Sequence, residues 1–127
     1  MSLCLAAAGI AVEIASSTFT LSWTHTVQKT VWEEEWSVQS DRLVLRRARV
    51  EGSGAGMEPP PQARREGRFY VWNPEEAQPE IVLRREPHAA DWNLCAAGRC
   101  DTLGGWLGMD ADPVTLSPAG TCSPKAP

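Results

Sequence analysis

The sequence lacks an excess of basic residues and lacks any long apolar run. Its 127 residues carry 12 Lys and Arg against 16 Asp and Glu, a net charge of −4. A nucleic-acid binder or a polybasic membrane-surface protein needs a basic face, so both classes are excluded. No stretch approaches the roughly 20 apolar residues of a transmembrane helix, so no transmembrane segment is expected.

Positive charge is also missing from the first part of the chain, where no Lys or Arg precedes Lys29. A secretory signal needs a basic segment before its apolar one. We therefore interpret the apolar beginning as two short strands, Ser2–Ala6 and Ile10–Ile14, around Gly9. If the native gene encodes an export signal, this chain begins after it.

A helical repeat is absent before residue 103, and strand-like alternation replaces it. The pattern predicts an all-β fold, a small antiparallel β-sandwich or partly closed barrel, formed by residues 1–107 as one domain. Residues 108–127 hold four prolines and little apolar periodicity. They are expected to form a Pro-rich flexible tail.

The clearest alternation lies in two segments, Phe19–Val27 and Thr30–Val38. Their apolar faces coincide only if the connecting loop has an even number of residues. A two-residue turn at Gln28–Lys29 is the shortest solution, and it places Trp23 opposite Glu34. The four tryptophans that fall on the inward face are expected in the core: Trp23, Trp32, Trp36 and Trp92.

A third strand spans Arg42–Val50, and partway along it the apolar residues change from odd-numbered to even-numbered positions. Such a change predicts a β-bulge near Arg46–Arg47. Continued pairing would set Arg46 beside Glu33 on the outer face, so arginines are expected to neutralise the glutamate run.

Cysteine is sparse, with four residues, two of them close together. Cys95 and Cys100 flank a short Gly-containing hairpin loop, where opposed Cα atoms are about 4.5–5.5 Å apart and can be bridged. A disulfide there would indicate an oxidising compartment. The rival interpretation is a metal site, for which the spacing is poor because Cys4 and Cys122 lie near the chain ends.

One histidine lies on the apolar face of the first long strand, and one glutamate lies on the matching face of the second. In the expected register His25 and Glu34 are diagonal neighbours within side-chain reach. Functionally the pair would be a general base or the corner of a ligand pocket. Structurally it would be a satisfied polar pair in an aromatic core, because no positioned nucleophile completes a catalytic set.

A second candidate site is the run from Glu51 to Pro61, which is rich in glycine and then in proline. A phosphate-binding loop would continue into a helix, which the prolines prevent. The loop either lines a binding mouth or turns a corner. As contacts for a ligand or partner, the run offers Gly52, Ser53, Gly54, Gly56, Met57 and Glu58.

Three stretches together resemble a bacterial family of small proteins, the domain of unknown function number eighteen-fifty. They are Trp23–Glu34, Gly52–Pro61 and Leu94–Cys100, and the resemblance extends over residues 3–107. Members of that family are often encoded beside TRAP transporters of the TAXI type, whose extracytoplasmic receptors bind small anionic solutes. The resemblance implies a genomic neighbourhood and brings no enzymatic activity, catalytic residue or cofactor with it.

The function expected from these observations is that of a non-enzymatic, extracytoplasmic accessory domain. It would bind a TRAP receptor, a membrane subunit or the solute, with no cofactor and no metal ion. Two alternatives remain open: a small hydrolase that uses His25 and Glu34, and a purely structural or assembly module.

Overall fold

The fold is known from a computed structural model that describes residues 1–24, 30–52, 59–84 and 91–122. Over these ranges the strands are β1 (Leu3–Ala7), β2 (Ile10–Ile14), β3 (Thr18–Thr24), β4 (Val31–Val38), β5 (Leu43–Glu51), β6 (Arg64–Glu66), β7 (Phe69–Trp72), β8 (Glu76–Gln78), β9 (Ile81–Leu83), β10 (Asn93–Ala96), β11 (Arg99–Thr102) and β12 (Val114–Pro118). One short helix, α1 (Leu103–Leu107), and a 3-10 turn, Ala119–Thr121, complete the described part. No helix in these ranges is long and apolar enough to cross a membrane.

Two tight turns define hairpins that the sequence predicted. Between β1 and β2 the turn residues Ala8 and Gly9 have φ of 49° and 81°, and between β10 and β11 Ala97 and Gly98 have 52° and 79°. Two consecutive positive φ angles give a turn whose twist matches that of the flanking strands. The hairpin expected at the beginning of the chain is therefore confirmed.

The strands form two antiparallel sheets. The smaller has the order β2-β1-β12-β9, and the larger has the order β11-β10-β3-β4-β5-β7-β6, with β8 also paired to β5. Side chains from both sheets share one core, with Leu5 and Leu116 from the smaller sheet and Leu21 and Leu94 from the larger fully buried in it. The predicted all-β sandwich is confirmed, and neither described sheet closes into a barrel.

The register of β3 against β4 differs from the prediction by two residues. Trp23 lies opposite Trp32 rather than Glu34, and Glu34 lies opposite Leu21. The faces are still correct, because side-chain direction depends only on whether the shift is odd or even. The turn proposed at Gln28–Lys29 had no support from turn chemistry, and it lies outside the described residues.

The predicted bulge in β5 is confirmed, and it changes which arginines meet the glutamates. Pairing with β4 shifts between Glu35 and Trp36, so no residue of β4 lies directly opposite Arg46 in the register. Arg47 then lies opposite Glu35, and Arg49 opposite Glu33. The expected pairing of Arg46 with Glu33 was wrong for two reasons. Val44 lies opposite Ser37 and not Glu35, which is a register shift of two residues, and the bulge displaces the arginines by one more.

The structure differs from the predicted Pro-rich tail over residues 114–118. These residues form β12, which lies between β1 and β9, and all five are buried. Val114 and Leu116 point into the core while Thr115 and Ser117 alternate with them. The fold thus continues beyond residue 107; the short alternation was obscured by Pro113 and Pro118 at its ends. Residues 123–127 lie outside the described part.

Candidate functional site

The site is organised around one acidic residue in the middle of the larger sheet. Alternation along β4 directs Trp32, Glu34 and Trp36 to the same face, the one that carries the core. Glu34 is flanked across the strands by Leu21 on β3 and Ala48 on β5, which are 0% and 1% exposed. A carboxylate here is only partly exposed and must be satisfied by polar partners.

Both carboxylate oxygens of Glu34 accept hydrogen bonds from indole groups of the same strand. Trp32 Nε1 donates to Oε2 at 3.1 Å, and Trp36 Nε1 donates to Oε1 at 3.1 Å. Residues two apart on a strand share a face, so this clamp follows directly from the sequence Trp-x-Glu-x-Trp. Within the described ranges Glu34 makes no ion pair, so its donors are both neutral.

Four tryptophans extend from Glu34 across the sheet, and we call them the tryptophan cluster: Trp23, Trp32, Trp72 and Trp92. Ring centroids are 5.2 Å apart for Trp23 and Trp32, 4.5 Å for Trp23 and Trp92, and 5.7 Å for Trp32 and Trp72. These tilted and edge-on contacts are favourable geometries for aromatic pairs. Trp23, Trp32 and Trp92 are half-buried, so part of the cluster reaches solvent.

The tryptophan cluster lies mostly outside the core that the two sheets share. Trp72 packs with Ala48 and Val50 in a separate apolar cluster, which Trp32 and Tyr70 border. The stacked pair of Trp36 and Phe19, with centroids 6.1 Å apart, belongs instead to the shared core. The expectation that the inward tryptophans are core residues is therefore met fully by Trp36 and only in part by the other three.

The other predicted site residues are placed only in part. His25 lies in 25–29, and Ser53, Gly54, Gly56, Met57 and Glu58 lie in 53–58, all outside the described residues. Gly52 is described, with φ of 63° and its N–H donating to the carbonyl oxygen of Arg68 at 2.6 Å. Gly52 thus begins a turn after β5. The loop that follows, on which the choice between a binding mouth and a corner depends, lies outside the described residues.

The corner at Gly52 is tied to neighbouring strands by Glu51. The Glu51 carboxylate accepts the backbone N–H of Val31 at 3.2 Å and pairs with Arg68 at 3.1 Å. One side chain therefore joins the beginning of β4, the end of β5 and the turn before β7. This end of the larger sheet also carries Trp23 and Trp32, so the corner and the tryptophan cluster are neighbours.

A family model decides the family of the chain. The model of the family described as Domain of unknown function (DUF1850) matches residues 19–103, about two-thirds of the sequence. The chain belongs to the DUF1850 family. No curated protein and no solved structure matched the chain. The matched region extends from the second residue of β3 to the end of β11, and it includes Glu34 and the tryptophan cluster.

The opposite face of this DUF1850 domain carries a charged ladder. Arg49 pairs with Glu33 at 3.1 Å, and Arg47 pairs with Glu35 at 3.4 Å and with Glu66 at 3.6 Å. These partly exposed pairs neutralise one another, as cross-strand opposite charges do. The two glutamates of β4 on this face are therefore accounted for by ion pairs, and Glu34 is the one glutamate of β4 that has no cationic partner among the described residues.

Both cysteine pairs of the chain are oxidised, one within the matched region and one outside it. The predicted bond between Cys95 and Cys100 is present, with Cα atoms 4.0 Å apart. The state of Cys4 and Cys122 could not be predicted from the sequence. These two residues form a second disulfide, which links β1 to the segment after β12. No group of three or more His, Cys, Asp or Glu side chains is arranged to hold a metal ion within the four described ranges.

Proposed function

We propose that this DUF1850 domain is a non-enzymatic, extracytoplasmic accessory protein of a TAXI-type TRAP solute transport system. Two observations support the location and the association. Both disulfides belong to the kind of bond that persists in oxidising compartments. The resemblance of the site motifs to proteins encoded beside such transporters supplies the association.

The proposed binding surface is the exposed part of the tryptophan cluster around Glu34. The observation that carries this proposal is a partly exposed carboxylate that receives two indole N–H groups and no cation from the described chain. A cationic side chain of a partner would gain both a charge-assisted bond to Glu34 and contact with indole faces. An anionic solute would be repelled there, so a transporter component is favoured over the solute as the direct partner.

The test is capture of native envelope proteins on the tagged chain, with identification by mass spectrometry. We expect recovery of a TRAP receptor or membrane subunit. Glu34→Gln should reduce that capture at least about tenfold, because a partner cation would be left unpaired at a partly desolvated site. Circular dichroism in the aromatic region checks that the tryptophan packing is retained in the variant.

The matched control is Glu33→Gln, which removes the same charge from the same strand but from the opposite face, where Arg49 pairs with it. Capture by this variant should equal that of the native chain. Failure of the native chain to capture any transporter component would contradict the association. An equal loss in both variants would contradict the proposed surface.

A structural role for Glu34 is the second candidate, and its complete set of indole hydrogen bonds favours it. In that case Glu34 fixes the orientation of Trp32 and Trp36 and has no direct contact with a partner. Glu34→Gln, which replaces one acceptor oxygen with a donor, would then lower the melting temperature while capture per folded molecule stayed unchanged. The hydrolase alternative requires a contact with His25, which lies outside the described residues.

A further inference from the structure

The edge strands of the two sheets differ in how well they are protected against pairing. Exposed edges in natural proteins are made short or charged, or are interrupted, to prevent association. On the larger sheet β6 consists of three charged residues, β8 of only three residues, and β11 carries Arg99 and Asp101. On the smaller sheet β9 has three residues. β2 is the exception among the described edge strands, with five residues and one charge, Glu13; α1 lies close to this strand.

The backbone of β2 presents a regular set of hydrogen-bonding groups to this edge. The turn before it has two residues, so Ala7 and Ile10 close the hairpin as a hydrogen-bonded pair. Alternation then directs the N–H and C=O groups of Ile10, Val12 and Ile14 towards β1. Those of Ala11 and Glu13 point away from β1, to the side on which no strand of the described ranges pairs.

We propose that two copies of this chain associate through β2, antiparallel and about a two-fold axis at Val12. In this register Ala11 of each copy lies opposite Glu13 of the other, and these two pairs exchange four backbone hydrogen bonds. The two smaller sheets join into one continuous sheet across the interface. The pairing is closed, because each copy uses the one long, weakly charged edge that the described strands offer, and these strands present no second such edge for a third copy.

The side chains of β2 fit a second copy of the same strand. The only charge, Glu13, meets the small uncharged Ala11, whereas a register shifted by two residues sets Glu13 opposite its own equivalent. On the core side Val12 meets Val12, and Ile10, which is 38% exposed, meets Ile14. Apolar contacts therefore continue from the core across the interface.

The expected affinity is modest. Two five-residue strands bury less surface than the roughly 1,600 Å² of a standard protein interface. Each copy also carries a net charge of −4, which opposes association. We therefore expect a monomer–dimer equilibrium that depends on concentration and strengthens as salt screens the charge.

The test is sedimentation equilibrium of the full chain over a wide range of concentration. Ala11→Lys sets a cation opposite Glu13 twice per dimer and should tighten the dimer about tenfold, and Ala11→Glu should weaken it by a similar factor. Ala77→Lys and Ala77→Glu are the matched controls, because Ala77 is exposed on β8 of the other sheet. Both control variants should leave the dissociation constant of the dimer at its native value, apart from the small change that follows from the altered net charge.

A third variant removes a backbone donor without touching the β1–β2 ladder. Ala11→Pro deletes an N–H that points to the open edge, so the chain should fold and remain monomeric. A native chain that is monomeric at all concentrations would overturn the proposal. So would a dimer that persists in Ala11→Pro, a response of the same sign to Lys and Glu at position 11, or growth into open oligomers.

Discussion

At the scale of single residues, Asp101 shows how a surface carboxylate is held in its charged form. Its carboxylate accepts a hydrogen bond from Arg99 Nη2 at 2.7 Å and another from the backbone N–H of Thr102 at 2.8 Å. Arg99 is itself positioned by Trp106, whose ring lies 4.0 Å from the guanidinium carbon. The bond from Arg99, and then the bond from Thr102, lower the pKa of Asp101.

This lowered pKa has a definite consequence for stability in acid. The folded chain holds the Asp101 proton more weakly than the unfolded chain, so the stabilisation is present above the ordinary value of 3.8 and is lost as pH falls through the lower folded pKa. We expect a carbon-13 NMR titration of the Asp101 carboxyl to give a pKa below 3.8. Arg99→Met keeps an unbranched side chain over Trp106 and should return the pKa towards that value; an unchanged pKa would contradict this cause.

The role of a residue was predictable from the sequence where it depends only on the face of the strand to which the side chain points. Parity separated Glu34, which faces the core, from Glu33 and Glu35, which pair with arginines on the outer face. The indole clamp on Glu34 was missed, although the pattern Trp-x-Glu-x-Trp contains it. The register expected from the sequence made His25, across the hairpin, the partner of Glu34, whereas its donors lie two residues away on the same strand.

At the scale of secondary-structure elements, the turn of the β10–β11 hairpin is built from a residue that fits its conformation poorly. Ala97 adopts a φ of 52°, in the left-handed region, and is followed by Gly98 at 79°. A side chain at this φ is strained by about 1–2 kcal/mol, and Asn relieves part of that strain through its short polar side chain. Asn-Gly is also the preferred pair for this type of turn.

We therefore expect Ala97→Asn to raise the free energy of unfolding by about 0.5–1 kcal/mol, measured by urea denaturation. Gly98→Ala is the control of opposite sign, because a methyl group at Gly98 meets no atom within 4 Å and only its φ is unfavourable. That variant should lose about 1 kcal/mol. A loss of stability in Ala97→Asn would show that the turn conformation is not the one described.

Elements were predictable to the extent that side-chain alternation specifies them. The bulge in β5 followed from a change of parity, and it is present where Arg46 is inserted. The register of β3 and β4 did not follow, because alternation fixes pairing only to within two residues. β12 was missed because it is short and bordered by prolines, and its burial depends on β1, which is more than a hundred residues earlier in the chain.

At the scale of the whole molecule, the two disulfides constrain the chain very differently. Cys4 and Cys122 are separated by 118 residues, and Cys95 and Cys100 by 5. In the chain-entropy description, a long closed loop restricts the unfolded state far more than a short one. The first bond is also anchored in the core of the smaller sheet, where Cys4 is 2% exposed.

Replacing both cysteines of each pair by alanine should separate these contributions. We expect Cys4→Ala with Cys122→Ala to lower the free energy of unfolding by about 5 kcal/mol, and Cys95→Ala with Cys100→Ala by about 2 kcal/mol. Urea denaturation of the two double variants under the same conditions gives the comparison. A larger loss for the Cys95 pair would contradict the loop-length argument.

The Cys4–Cys122 bond also makes residues 4–122 a covalent ring. One cut by a protease within the ring divides the chain into two pieces but releases neither of them. The two pieces stay attached, and the sheets that they build remain at the high effective concentration of a single chain. Separation requires a second cut or reduction of the bond, so a protease must cut at two places within residues 4–122 before any part of this ring is released.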